Sequence, residues 1–299
     1  MPPYRAASII TGIQSGVFMT EQNNKTQSVS IKPRRMAFDT DAPMRRYTFD
    51  DNSLISTFFY ALSAMFPDGE RFFIHSVRHF QKDIDDPVLQ AQIKGFIGQE
   101  AHHGHSHESL NRAIGNMGFP MAGLVEHMQK RVAFLKRAFG PDRQLALTAA
   151  MEHFTAALAE YLLKYPEILD KTDDTIRKML IWHAVEEIEH KAVAFDVYRQ
   201  KVNNEFMRKR VMVIAMISLF ARIGYYQFRL LKADGHFPRW REWTGAWRFF
   251  WGKQGILREN IRSLRKYFRT GFHPMDIDQQ ALIEHWQERH PDVAALQTQ

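Results

Sequence analysis

Val185-Glu186-Glu187-Ile188-Glu189-His190-Lys191 is the stretch on which the fold turns. Glu187 and His190 stand three apart, and residues at that spacing project side by side from one face of a helix. A carboxylate and an imidazole placed in this way form a metal-ligating pair. Glu186, four residues before His190, shares enough of that face to stand as the alternative to Glu187. The spacing recurs upstream in Gln99-Glu100-Ala101-His102-His103, where Glu100 and His103 repeat Glu-x-x-His inside another predicted helix. One such pair is usually a solvated helix face. Two copies, each with a lone glutamate on a helix ahead of it, argue for a shared centre.

The lone glutamates are Glu70 and Glu152, and proline and glycine punctuation delimits their helices. Phe66-Pro67-Asp68-Gly69 opens a helix from Glu70 to about Lys82, and Pro87 opens one to about Asn116. Gly140-Pro141-Asp142 opens a third, to about Tyr165, and the turn at 170–174 leads into a fourth, from about Thr175 to Lys201. A short apolar segment, Asn52 to Met65, reads as a further helix. In an antiparallel hairpin, residues equidistant from the turn lie at one height. The midpoint of positions 70 and 100 is Asp85, inside the Asp-Asp-Pro turn, and that of 152 and 187 is the Leu169-Asp170 junction. At about 1.5 Å rise per residue each ligand sits roughly 20–25 Å from its turn. Glu70, Glu100, His103, Glu152, Glu187 and His190 can therefore share one layer. One glutamate from each of two helices and Glu-x-x-His from each of two others is the ligand set of ferritin-like dinuclear carboxylate proteins. The expected fold is all-α: a ferritin-like four-helix bundle with a long crossover helix, Met121 to Phe139, and an additional helical C-terminal part.

At 299 residues the chain can bury a sizeable core, and it contains no cysteine. Disulfides, Cys-ligated zinc, iron–sulfur clusters and thiol nucleophiles are excluded, so any metal rests on His, carboxylate and water. Residues 1–30 are polar and are expected to be a disordered tail; without a secretory signal pattern, a cytoplasmic location is the default. Residues 31–203 would form the metal-binding bundle, beginning with an extended arm over Ile31 to Asp51. Residues 204–299 would form a basic, aromatic-rich helical extension packed on the bundle or on a membrane surface.

The segment from about Ile31 to Phe272 resembles a bacterial family of predicted metal-dependent hydrolases with a ferritin-like fold. The resemblance rests on Phe66-Pro-Asp-Gly-Glu70-Arg-Phe-Phe73, Phe96-Ile-Gly-Gln-Glu100-Ala-His-His103, Glu186-Glu-Ile-Glu-His-Lys191 and Tyr267-Phe-Arg-Thr-Gly-Phe-His-Pro274. Thr270 stands where the last motif would carry proline. The resemblance implies a metal site more firmly than it implies a reaction.

Four ionised glutamates balance two divalent ions, which removes the cost of burying unpaired carboxylates. Iron is the first expectation for the metal, with manganese and zinc as alternatives. His107, one turn beyond His103, and His183, four before Glu187, are candidates for orienting the ligands, as is Glu186 if it is not itself one. His102 and His153 point about 100° away from the ligand face and read as ordinary helix residues. Small residues around Glu152 (Thr155, Ala156, Ala159) leave room beside the centre. Two reactions fit: O2-dependent oxidation of a small apolar or lipid-like substrate, and hydrolysis of an ester or amide by metal-activated water. Ligand geometry favours the first and the family resemblance the second. A non-enzymatic metal-storing or metal-sensing protein is a third reading.

From Arg208 to Arg269 fifteen Lys/Arg face three acids, although the whole chain carries only +7. Trp240, Trp243, Trp247 and Trp251 are interleaved with these cations, a composition that suits the headgroup region of a bilayer and points to peripheral membrane contact through 208–269, at the inner face of the membrane. Nucleic acid ranks lower because no recognised nucleic-acid module accompanies it. The apolar run Val211 to Ala221 is interrupted by Arg222 and is short of the roughly 20 residues needed to span. Buried and interfacial placements of 211–231 are the main expectations, and nothing in the sequence conflicts with a dimer.

Overall fold

Asn52 turns the chain into its first helix. Its side chain accepts from the backbone N–H groups of Leu54 and Ile55 and so satisfies donors left over at the start of α1 (Ser53–Ser63), every residue of which is buried. The computed structural model describes residues 30–289. Apart from Ser30, the expected disordered tail lies outside the described residues. Pro67, in the first turn, opens α2 (Phe66–Gln81). Asp86 then accepts from the Val88 N–H at 2.9 Å and caps α3 (Pro87–Asn116). Gly118, at φ 94°, makes the left-handed turn that separates α3 from α4 (Met121–Ala138). Pro141 opens α5 (Pro141–Lys164), and a 3-10 turn over Pro166–Lys171 leads to α6 (Asp174–His190). After α7 (Val193–Lys201), Asn204 caps α8 (Glu205–Asp234), which is followed by α9 (Trp240–Trp251), α10 (Ile256–Lys266) and α11 (Gln280–Arg289). Among the described residues there is no strand, only an isolated bridge between Phe49 and Thr172. The chain is all-α, as expected.

One expected helix is two. The segment read as continuous from Thr175 to Lys201 breaks at Lys191 and Ala192. No proline or glycine stands there, so local propensity does not cause the break. Instead the buried Lys191 ammonium donates to the Ile277 carbonyl at 2.7 Å and to Gln279 Oε1 at 2.6 Å. A contact with chain almost 90 residues downstream overrides the helical period at this point.

Helices α2 and α3 pack on each other, as do α5 and α6, and contacts of α2 with α5 and of α3 with α6 join the two pairs. Helix α5 is enclosed: α2, α6, α7, α8, α10 and α11 all touch it. Small side chains at Ala146, Ala149, Ala150, Ala156, Ala157 and Ala159 let these neighbours approach from several sides, and all six are buried.

The N-terminal arm crosses α3 where that helix lacks side chains. A Cβ on Gly95 would collide with the Ile31 backbone, and one on Gly98 with the Pro33 ring. Farther along, the Asp173 N–H donates to the Thr48 carbonyl at 3.3 Å and ties the arm to the start of α6. Helix α8 packs on α1 and α5, and α9 on α1 and α10. Among the described residues α8 is the one helix long and apolar enough to cross a bilayer by length and composition, and only 22% of its most apolar window is buried. Phe206, Ile214, Ile217 and Phe228 of α8 are exposed, as are all four tryptophans of α9.

Candidate metal centre

Four helices deliver the side chains singled out above. Glu70 comes from α2; Glu100, His103 and His107 from α3; Glu152 from α5; and His183, Glu186, Glu187 and His190 from α6. None of the nine is more than 5% exposed. That burial excludes a solvated helix face, because charge placed there must be neutralised or paired.

Glu100, His103, Glu187 and His190 offer ligand atoms that all lie within 4.8 Å of one another. His190 Nε2 is 3.1 Å from Glu100 Oε1, and His103 Nδ1 lies 3.8 Å from Glu100 Oε1 and 3.6 Å from Glu187 Oε1. A second group, also within 4.8 Å, joins Glu70 to His107 and His183. Glu187 stands between the groups: its Oε1 is 2.8 Å from His183 Nε2 and 3.9 Å from His190 Nε2. Glu152 is placed differently, with Oε2 at 2.9 Å from His190 Nδ1, on the side of the ring away from the first group. Glu186 Oε2 holds His103 Nε2 at 3.0 Å in the same way. A carboxylate behind an imidazole fixes the ring and makes its inward nitrogen a better donor to a metal.

The unpaired atoms test whether metal fits. Glu70 Oε1 and Oε2, Glu100 Oε1 and Oε2, His103 Nδ1, Glu152 Oε1, Glu187 Oε2 and His190 Nε2 are all buried without a hydrogen-bond partner among the described residues. Buried polar atoms are almost always satisfied. Lone pairs from two carboxylates and two imidazoles converging in the first group suit hard or borderline divalent cations held by oxygen and nitrogen.

His102 and His153 are not part of the arrangement. His102 is half-buried on α3, and His153 Nε2 meets the Ser263 carbonyl at 3.1 Å. Glu160 accepts from Gln279 at 2.7 Å. Three contributors have no counterpart in the sequence reading. Arg34, from the arm, reaches Glu186 Oε1 at 3.1 Å and also pairs with Glu189, whose Oε2 accepts from Gln99 at 2.9 Å. Ser63 of α1 stands 3.0 Å from His107 Nδ1 and donates to Asn111 Oδ1 at 2.8 Å. Trp182 meets the His103 ring edge-on, with centroids 4.9 Å apart. Of their partners, Glu189 and Gln99 lie inside the motifs quoted from α6 and α3.

Without metal, this electrostatic arrangement is costly. Burial first, and the neighbouring carboxylates second, hold the Glu70 and Glu100 protons well above the usual carboxylate range. Burial raises Glu152 to about 7 against the pull of His190, and Glu186 to about 7 against that of Arg34. Burial alone would lower His190, but Glu152 and Glu187 outweigh it and raise the ring to about 9. Burial, with His183 alongside, depresses His103 and His107.

These directions give a pH dependence. A group whose pKa is raised on folding stabilises the fold below its unfolded value and loses that contribution as pH climbs through the folded value. Glu152 and Glu186 lose theirs between about pH 4.5 and about 7, and His190 between about 6.5 and about 9. The metal-free chain is therefore expected to melt lower at pH 8 than at pH 6.5. Loaded protein should change little, because binding has already released these protons. Calorimetry on both forms checks this, and equal pH slopes would refute it.

No curated protein and no solved structure matches the chain. A four-helix set of buried carboxylates and imidazoles with unpaired inward atoms is what metal-dependent chemistry needs, and the match over residues 32–278 places the chain in the family described as predicted metal-dependent hydrolase.

Proposed function

We propose that the chain is a dinuclear metal enzyme of ferritin-like architecture that oxidises a small apolar or lipid-like substrate with O2. The observation that carries the reading is the convergence of Glu and His ligand atoms in two adjoining groups, with Glu187 between them and with Glu70, Glu100, His103 and His190 presenting buried atoms that have no partner among the described residues. In the first group Glu100, His103, Glu187 and His190 would hold one ion; Glu70, His107 and His183, with Glu187 shared, would hold the other. Two iron(II) ions held there would supply two of the four electrons that reduce O2 in a single turnover, the oxidised substrate supplying the other two.

The chain's own residues set the rest. Glu186 and Glu152 orient the two imidazoles from behind, and Ser63 positions His107. Beside the second group lies a cavity of about 50 Å³ whose wall is formed by Phe66, Leu158, Ala159 and Leu162 together with His107 and Glu187. Such a wall excludes water and gives a hydrocarbon substrate contact without asking it for hydrogen bonds. Its hydroxyls, on Tyr60, Ser63 and Thr155, already donate to Arg46, Asn111 and Glu152, so it offers few donors with which to steady a developing oxyanion, and this favours oxidation over ester cleavage. Hydrolysis remains the second reading, supported by the family's description.

Anaerobic loading with iron(II), followed by O2, separates the two readings. Oxidation requires two irons per chain and an O2-dependent change in the near-ultraviolet spectrum. A chain that binds two zinc ions, takes up no iron and shows no spectral change defeats it.

A further inference from the structure

A larger cavity, of about 420 Å³, opens between α2, α4, α5 and α8. Leu62, Phe66 and Thr155 line both it and the small cavity beside the metal groups. Phe66 in turn meets His107 at a tilt, with centroids 4.5 Å apart, and the Thr155 hydroxyl donates to the Glu152 carbonyl at 3.1 Å. The inner end of the large cavity is therefore one side chain away from the centre. Along its length the wall is mainly apolar, and of the four arginines that line it Arg143 and Arg210 are exposed.

The mouth has a different character. Arg131 of α4 and Arg222 of α8 line both the large cavity and an adjoining open basic cleft that includes His127 and Lys130. Both arginines are half-buried. Among the described residues neither has a carboxylate within ion-pair distance, and Arg131 Nε is buried without a hydrogen-bond partner. Elsewhere the half-buried and buried arginines Arg34, Arg199 and Arg208 are all paired with acids. Arg222 donates to Ser218 Oγ at 3.0 Å and Arg131 lies over the Phe134 ring, but no acid among the described residues neutralises either charge. The two guanidinium groups repel each other, and burial together with Arg131 lowers the proton affinity of Arg222. An anion between them would relieve both effects. Arg222 also interrupts the apolar run of α8, so the residue that weakens a spanning helix is the one that places a cation at this mouth.

We propose that this cavity binds a single-chain alkyl carboxylate, its head group held between Arg131 and Arg222 and its hydrocarbon chain running inward past Gly69 to Phe66 and Thr155. The inference rests on the proposed function and names its substrate class. A ligand held in this way meets the metal centre with its chain and keeps its head group at the surface.

Titration calorimetry on the full chain with octanoate, decanoate and dodecanoate, each below its micelle concentration, tests it. One site per chain is expected, tightening roughly fourfold with each added methylene and preferring the carboxylate over the alcohol of equal length. In the Arg131→Gln/Arg222→Gln variant carboxylate affinity should fall roughly ten- to hundredfold, to that of the alcohol. Gly69→Leu provides a second arm. A Cβ at Gly69 meets open space, so the leucine extends into the cavity without a clash, while leucine also suits a helix better than glycine. The variant should fold normally and bind all three chains more weakly. Equal affinity for carboxylate and alcohol in the parent chain, or unchanged affinity in Gly69→Leu, overturns the proposal. So does binding to vesicles of anionic phospholipid with none to monomeric carboxylates, since that outcome assigns the cations to a membrane surface. Because the titration reads binding and not turnover, failure here with two metals still bound refutes the inference alone, and failure of metal loading refutes only the proposed function.

Discussion

Glu100→Ala is expected to abolish binding of the pair of metals. Glu100 presents two unpaired buried oxygens, one of them 3.1 Å from His190 Nε2, and it faces both imidazoles of the first group. Removing a group that merely orients a ligand typically costs 10–100-fold in metal affinity, so losing a direct carboxylate should exceed the upper end of that range. Metal analysis after anaerobic loading should fall from two ions per chain to one or none. Retention of both ions in the variant would remove Glu100 from the centre and undo the assignment. Glu100→Gln adds a test of opposite sign. In the metal-free chain the amide removes a carboxylate crowded by Glu152, Glu187 and Glu70, so this variant should melt higher than the metal-free parent while its loaded form melts lower.

Arg34→Ala should be among the most destabilising single substitutions in the chain. The guanidinium is 2% exposed and neutralises Glu186, which is fully buried, and Glu189, which is 9% exposed. Truncating one partner of a buried ion pair leaves the other charge stranded, at a cost of about 3–5 kcal/mol. The damage extends inward, because Glu186 is also the carboxylate behind His103. Urea unfolding should show the loss of stability, and metal titration a drop of roughly 10–100-fold in affinity. Adding Glu186→Gln and Glu189→Gln to the Arg34→Ala chain should recover part of the stability, but not the metal affinity. Unchanged unfolding in Arg34→Ala would mean that the arm does not hold these acids in solution.

The contrast between those two residues marks how far the sequence could be read. Glu100 is legible because a helix converts spacing into geometry: Glu-x-x-His fixes a face, and the Asp85–Pro87 turn fixes a height. The all-α class and the start of α3 at Pro87 and of α5 at Pro141 follow from the same local rules. Arg34 is illegible because it meets Glu186 across 152 residues, from an extended segment with no period to project. The break at Lys191 escapes notice for a similar reason, being set by carbonyls near the other end of the chain. His107 and His183 lie between these cases. Helical projection puts both near the ligand face, yet their grouping with Glu70 depends on how closely α2, α3 and α6 approach at that level, and a helical wheel contains no such distance.

Burial of the centre also sets a timescale. With Glu152, His103 and His190 fully shielded from solvent, an ion can neither enter nor leave until the surrounding helices part. Residence is then governed by the rate at which the bundle opens, or at which the arm lifts from Gly95 and Gly98, and much less by the strength of the coordinate bonds. Two chains with identical ligands but differently anchored arms would hold their metals equally tightly at equilibrium and exchange them at very different speeds.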